Sequence, residues 1–199
     1  MFSGIVHAVG RIVGVLRHGD GRRITLEAGD LDLADVAVGE SIAVAGCCLT
    51  VVAFENRRLS FDVSAETLAC TAGLDASGDV NLERSLKLSD RVGGHLVSGH
   101  VDGVGVVTRF DAVAGDEGSR TLEVETPAGL ARFIAAKGSI TVDGVSLTVN
   151  TVTASRFAAN LIPHTLAVTT LGRLAVGARV NLEVDLLARY VERLVTTTR

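Results

Sequence analysis

The sequence predicts an all-β protein: two similar small closed β-barrels in tandem, followed by one C-terminal α-helix. Three observations carry that prediction. The first is an internal repeat. "SGIVHAVG" at 3–10 returns as "SGHVDGVG" at 98–105, and "SIAVAGCCLTV" at 41–51 returns as "SITVDGVSLTV" at 139–149 with seven of eleven positions identical. "ETL" at 66–68 is matched by "HTL" at 164–166, and "VNLE" occurs at both 80–83 and 180–183. The matches keep their order while the offset drifts from 95 to 100, as expected of a duplicated unit with small loop insertions. The second observation is strand chemistry throughout each half. The third is the scarcity of helix signals before the C-terminus.

Taken in order, "IVHAVGRIVGV", "RRITLEA", "SIAVAGCCLTVVAF", "RLSFDVS" and "DVNLE" are rich in Val, Ile, Thr and Phe and are bounded by Gly, Asp or Asn. Five or six such strands in under about 100 residues favour closure, because a barrel has no exposed sheet edge. A helix is expected over 126–138, with Thr126 as cap, Pro127 in the first turn and Gly138 beyond the end. A shorter, polar counterpart is expected at 30–36. The C-terminal "DLLARYVERLVTTTR" puts Leu186, Leu187, Tyr190, Val191, Leu194 and Val195 on one helical face. That stripe packs either on another subunit or back on its own chain. The joint lies within 87–100, where Gly93-Gly94 precedes the second Ser-Gly motif. The expected units are therefore 1–94, 95–185 and a helix over 186–199.

Composition narrows the function classes. At 199 residues the chain suits two cores of about 90–100 residues each. A net charge of −4, no basic run and no Trp argue against nucleic acid as a partner. The longest uncharged run, Ser41 to Phe54, is 14 residues, too short for a membrane span. The N-terminus lacks the basic and long apolar regions of a signal peptide. Three cysteines, two of them adjacent, make no disulfide framework, so a reduced, cytoplasmic protein is expected.

Two copies of one barrel should carry two similar pockets, so the unmatched positions are informative. Cys48 stands where the second half has Ser146, and His100 stands where the first half has Ile5. Ser41 matches Ser139, and Thr50 matches Thr148. One pocket is expected to hold a thiol, and the other an imidazole beside Ser146 and Thr148. Each residue also has a plainer reading: Cys47 and Cys48 as core filler, His100 as a hydrogen-bonded loop residue, Lys137 as a helix C-terminal lysine. Metal binding is not expected. His95 and His100 are five apart and point to opposite faces of an extended strand, as do Cys47 and Cys48. No G-x-S-x-G elbow, P-loop or complete G-x-G-x-x-G is present.

The opening "MFSGIV", the pair "GCCLTV" and "GVSLTV", "GGHLVSGHVDG" and "LIPHTLAVTTLG" closely resemble the riboflavin synthase family of lumazine-binding repeats, over essentially the whole chain. The resemblance implies two six-stranded antiparallel Greek-key barrels and a C-terminal helix through which three chains form a homotrimer. It implies a dismutation in which two 6,7-dimethyl-8-ribityllumazine molecules exchange a four-carbon unit, giving riboflavin and 5-amino-6-ribitylaminouracil, with no cofactor. Each working site would join the first barrel of one chain to the second barrel of its neighbour, and lumazine synthase is a further possible partner.

By the same resemblance, the first pocket uses Gly4, Ile5, Val6, Cys48, Leu49 and Thr50, then Asp62, Val63, Ser64, Ala65, Glu66 and Thr67, with Asp62 or Glu66 taking ribityl hydroxyls. The second uses Gly99, His100, Val101, Ser146, Leu147 and Thr148, then Ile162, Pro163, His164, Thr165, Leu166 and Ala167, with Lys137 reaching across the subunit boundary. Cys48 would add to C7 of one lumazine or position a water that does so. His100, with Ser146 and Thr148, would take a proton from the C7 methyl, and Ser41 would relay or orient a proton. Ala45 and His164 depart from the family's usual Asn and Glu. Lumazine and flavin carriers of the same superfamily are the alternative; they lack the Cys and His that stand here at 48 and 100.

Overall fold

The computed structural model describes residues 1–197, and of Thr197 the backbone alone. The first half forms strands β1 (Ala8–His18), β2 (Gly21–Glu27), β3 (Ser41–Val44), β4 (Cys47–Glu55), β5 (Arg58–Val63) and β6 (Gly78–Arg84), with the short helix α1 (Ala65–Cys70) after β5. They close into an antiparallel barrel in the order β1-β2-β5-β4-β3-β6. Strict alternation in β5, where Leu59, Phe61 and Val63 are buried, aims one side of the strand at the core. Two-residue hairpins set the register. Ala45-Gly46 joins Val44 to Cys47, and Asn56-Arg57 joins Glu55 to Arg58, all four with positive φ as a type I′ turn requires.

The second half repeats the strand order without closing the ladder that the sequence predicts to be closed, with β7 (Gly103–Ala112), β8 (Arg120–Glu125), β9 (Ser139–Val142), β10 (Val145–Thr148), β11 (Thr151–Val152), β12 (Arg156–Leu161) and β13 (Arg179–Val184), and α2 (Pro163–Val168) after β12. The sheet runs β10-β9-β13-β7-β8-β12-β11. The seventh strand is not an extra element: β10 and β11 are the two parts of the strand that runs unbroken as β4. The ladder stops at Val149-Asn150, where the Asn150 side chain accepts the Asn160 N–H at 2.9 Å.

Both expected internal helices are absent. Residues 126–138 make only one 3₁₀ turn, Ala131–Phe133, and 30–36 are irregular. Thr126 is buried and its hydroxyl donates to the Ser155 carbonyl, so it caps nothing, while Ile134 and half-buried Leu130 and Phe133 lie on the barrel core. Burial of three apolar residues on a curved wall outweighs the weak helical preference of one turn.

The C-terminal helix α3 runs Leu186–Thr197, and Thr198 and Arg199 lie outside the described residues. Leu187, Tyr190, Val191 and Val195 are all at least 60% exposed, so this apolar face is left largely uncovered by the other described residues. Arg132 ties the helix to the second half through Glu192 at 3.1 Å, at the edge of that face.

The barrels meet across a pseudo-twofold. Gly46 packs on Gly144 so closely that a Cβ on Gly46 would lie 2.7 Å from the Gly144 nitrogen. Buried Asn81 and Asn181 reach into the opposite barrel: the Asn81 amide donates to the Asp143 carbonyl, and the Asn181 amide to the Ala45 carbonyl, each at 2.9 Å. Such residues explain why "VNLE" is written twice.

Candidate active site

The glutamates of that motif fix the two Ser-Gly segments. Glu83 accepts the Ser3 N–H at 2.7 Å, the Ser3 hydroxyl at 2.8 Å and the Gly4 N–H at 2.9 Å. Glu183 accepts the same three groups of Ser98 and Gly99 at 2.7, 2.6 and 2.9 Å. Both carboxylates are buried, and the three donors replace the water each has lost. For Glu83 burial still dominates, raising its pKa against those donations.

Held this way, each segment crosses to the other barrel. The Gly4 carbonyl accepts the Ser146 N–H at 2.7 Å, and the Gly99 carbonyl accepts the Cys48 N–H at 2.8 Å. A Cβ on Gly4 would lie 2.6 Å from the Ser146 Cβ, and one on Gly99 would lie 2.6 Å from the Cys48 Cβ. Val6 packs on the second core and Val101 on the first.

The expected grouping is therefore corrected within one chain: Gly4, Ile5 and Val6 belong with Ser146, and Gly99, His100 and Val101 belong with Cys48. The reason is geometric. Each segment leads into its own barrel's first strand from the far side of the interface, so it passes over the neighbouring barrel on the way. His100 is exposed and follows Gly99, whose carbonyl accepts the Cys48 N–H, so within one chain it is carried by the segment that lies on the strand of Cys48 and not by the one that lies on the strand of Ser146 and Thr148. Ile5, exposed at the matching place, gives the second barrel an apolar rim instead.

Each barrel wall has a seam at the same place. The β4–β5 ladder ends at Val51↔Phe61, leaving 48–50 facing 62–64 without ladder pairs. In the second half, β12 pairs β11 only at Thr151↔Ala158 and Val152↔Phe157, leaving 146–148 facing 160–162. A seam of backbone edges without ladder partners suits a flat heterocycle with donors and acceptors on its rim. Thr50 and Thr148 are exposed at the seams, paired across the hairpin with half-buried Ser41 and Ser139. Leu49, Val63, Leu147 and Leu161 form the floors.

Short helices close one end of each seam. Ser64 caps α1 by accepting the Thr67 N–H at 3.0 Å, leaving Ala65 and Glu66 exposed in its first turn. Ile162 occupies the matching cap without a side-chain bond and Pro163 follows it, with His164 and Ala167 exposed and Thr165 and Leu166 half-buried.

Two expected readings change, and one of the plainer ones holds for half of its pair. The Asp62 carboxylate lies on the outer face, bound by Arg23 at 2.7 and 2.8 Å, a pairing that holds it below the usual carboxylate range. Its carboxylate is thus committed, and its backbone remains at the seam. Lys137 is no helix-terminal lysine. It is exposed at φ +67°, in the place of Gly39, and its N–H donates to the Val149 carbonyl as that of Gly39 does to Val51. Cys47 is the core filler of the adjacent pair: it is buried, and burial pushes its thiol up to about 12. Cys48 is half-buried at the seam.

Sequence reasoning missed one group. His95 Nδ1 lies 2.7 Å from Ser146 Oγ, so the imidazole beside Ser146 comes from the connection between barrels. Repeat comparison could not find it, because His95 lies outside the repeated segments.

A family model described as lumazine binding domain matches residues 3–85 and again 98–185. The chain is 43% identical over 198 residues to a riboflavin synthase of Photobacterium phosphoreum, covering 98% of this chain and 88% of the relative. It is 46% identical over 200 residues to one of Mycobacterium tuberculosis, covering 98% of both. A riboflavin synthase of Bacillus subtilis is 38% identical over 97% of this chain and 89% of its own. Among solved structures, LumP complexed with 6,7-dimethyl-8-(1'-D-ribityl) lumazine matches with a TM-score of 0.81 and 26% identity, over 92% of this chain and 99% of LumP. LumP complexed with riboflavin matches at 0.82 and 28% identity, with the same coverage.

Proposed function

This chain belongs to the lumazine-binding domain family, and we propose that it works there as a riboflavin synthase. Two 6,7-dimethyl-8-ribityllumazine molecules react, one giving up a four-carbon unit to the other, to form riboflavin and 5-amino-6-ribitylaminouracil. The observation that carries this reading is a pair of seams alike in shape and unlike in chemistry. One has Cys48 with His100, the other Ser146 with His95 and an apolar rim at Ile5. Identical substrates suit a duplicated cradle, and opposite fates require unequal side chains.

The ring chemistry needs little from the protein beyond placement. The pteridine is its own electron sink and its C7 methyl is already acidic, so two rings held face to face gain most from proximity and orientation. Cys48 adds to C7 of one lumazine or places a water there, and an imidazole with Ser146 and Thr148 takes the methyl proton. Both seams open to solvent on a single chain. A site that joins the first barrel of one chain to the second barrel of its neighbour covers both at once, and brings His100 of one chain to Ser146 and Thr148 of the next. The uncovered apolar face of α3 supports a homotrimer assembled through those helices. No helix among the described residues is long and apolar enough to cross a membrane.

The likeness to LumP favours one second reading, a carrier that binds the same compound without converting it. One assay decides. The protein is mixed with 6,7-dimethyl-8-ribityllumazine and riboflavin is followed by fluorescence. Formation of riboflavin with multiple turnovers is expected. Binding without turnover would leave the carrier, and no binding would end both readings.

A further inference from the structure

The hydroxyl of Ser146 has a fixed neighbour that the first barrel does not duplicate. His95 is anchored by its own backbone, whose N–H donates to the Ser3 carbonyl at 3.1 Å, and its Nδ1 lies 2.7 Å from Ser146 Oγ. Gly94 permits that approach: a Cβ there would lie 2.2 Å from the Ser3 oxygen and 2.8 Å from Ser146 Oγ. The second ring nitrogen, Nε2, is buried with no hydrogen-bond partner among the described residues. Burial also holds the imidazole below its ordinary pKa, against the pull of the Asp185 carboxylate.

An orphaned ring nitrogen costs free energy that a leucine or methionine in the same space would not. A histidine kept there at that cost is explained by what its other nitrogen does. A serine hydroxyl rotates freely and can donate or accept in any of three staggered directions. With an imidazole nitrogen 2.7 Å away, one direction is taken, and the remaining capacity of Oγ is turned to the open side, which is the seam. The geometry points to His95 as the positioning residue of the second-barrel seam, acting through Ser146 on the lumazine ring bound there, an inference that rests on the riboflavin synthase reading. Asp185 ties this pair to the C-terminal helix, since its carboxylate reaches the ring electrostatically and its Oδ1 accepts the Leu187 N–H at 2.9 Å.

The test compares His95→Ala, His95→Asn, His95→Gln, Ser146→Ala and the double alanine variant for riboflavin formation, with far-UV circular dichroism on each. His95→Ala is expected to lower kcat about ten-fold or more, and His95→Asn to stay within about three-fold of the parent, because its amide falls where Nδ1 was. His95→Gln, whose amide falls where Nε2 was, should be as slow as His95→Ala. The double variant should be no slower than Ser146→Ala alone, since the histidine acts only through that hydroxyl. A His95→Ala enzyme as fast as the parent, equal rates for Asn and Gln, or additive losses in the double variant would overturn the inference. So would loss of the β-sheet spectrum in every His95 variant, which would make the ring a structural element. A parent that forms no riboflavin would instead end the enzymatic reading, and the inference with it.

Discussion

Ala45 is a residue the fold tolerates rather than favours, and replacing it gives a quantitative test of the pseudo-twofold. Ala45 and Asp143 hold the same place in two hairpins, each at φ +48°, ahead of Gly46 and Gly144. That left-handed conformation costs a Cβ-bearing residue about 1–2 kcal/mol, and Asn tolerates it better because its side chain bonds locally. Asp143 also accepts the Asn181 N–H through Oδ1 at 2.8 Å, whereas Ala45 has no side-chain oxygen to offer the Asn81 N–H. Both residues border the same inter-barrel cleft.

Ala45→Asn therefore recovers part of the backbone cost and adds one hydrogen bond, itself about 0.5–1.5 kcal/mol. Together these come to about 1–2 kcal/mol, which raises Tm by roughly 3–6 °C for a chain of this length. Differential scanning calorimetry at neutral pH measures it. Ala45→Gly separates the contributions, because it relieves the Cβ without adding the bond and should gain less. A Tm that is unchanged or lower in Ala45→Asn would refute the reasoning.

Two further outcomes are expected. Burial pushes the Asp143 carboxyl up to about 7, partly offset by the Asn181 N–H. A raised acid pKa means that the folded protein holds the proton more tightly than the unfolded chain does. Its contribution is therefore favourable in acid and is lost as pH rises from about 4 towards 7. Asp143→Asn keeps the acceptor and removes the charge, so its Tm relative to the parent should climb from pH 5 to pH 8; a constant difference would place the titration elsewhere. At the site, His100→Ala should cut kcat on the order of 100-fold, whereas Lys87→Ala, which only breaks an exposed pair with Asp35, should change it less than about two-fold. Equal losses would count against His100.

Much of the architecture was legible because repeats and alternation are local signals. "RLSFDVS" declares a half-buried strand by itself, and the doubled "VNLE" declares two copies of one interface. The expected helix at 126–138 failed because Leu130, Phe133 and Ile134 are recruited by a curved wall that local sequence does not describe. The site was legible as a set of residues and not as a grouping. Repeat arithmetic assigns Gly4 to the barrel of Cys48, since both lie in the first half. Only the path of the chain over the interface reveals that Gly4 lies on Ser146. His95, weighed in the sequence only as a metal ligand, was not legible as a site residue for a related reason: it has no repeat partner, and its meaning depends on a single distance to a residue 51 positions away.

That exchange has a consequence that can be measured, because a lesion in one half should be felt in the other. Gly99 is at φ +79° and its missing Cβ leaves room for Cys48; Gly4 is at φ +76° and leaves room for Ser146. An alanine at either place meets both the left-handed penalty and carbon atoms at 2.6 Å, so the segment must lift off the strand beneath it. Gly99→Ala should uncover Cys48 and speed its alkylation several-fold, although the substitution lies in the second half of the sequence. Gly4→Ala, in the same half as Cys48, should leave that rate unchanged and disturb Ser146 and His95 instead. Peptide mapping after iodoacetamide treatment distinguishes Cys48 from buried Cys47 and from exposed Cys70. If Gly4→Ala altered Cys48 more than Gly99→Ala did, each barrel would be completed by its own segment. The inter-barrel hydrogen bonds from Cys48 and Ser146 would then not govern the seams. If the crossed pattern holds, neither seam is whole without both halves of the chain, and the duplication persists as one interlocked unit rather than as two independent binding barrels.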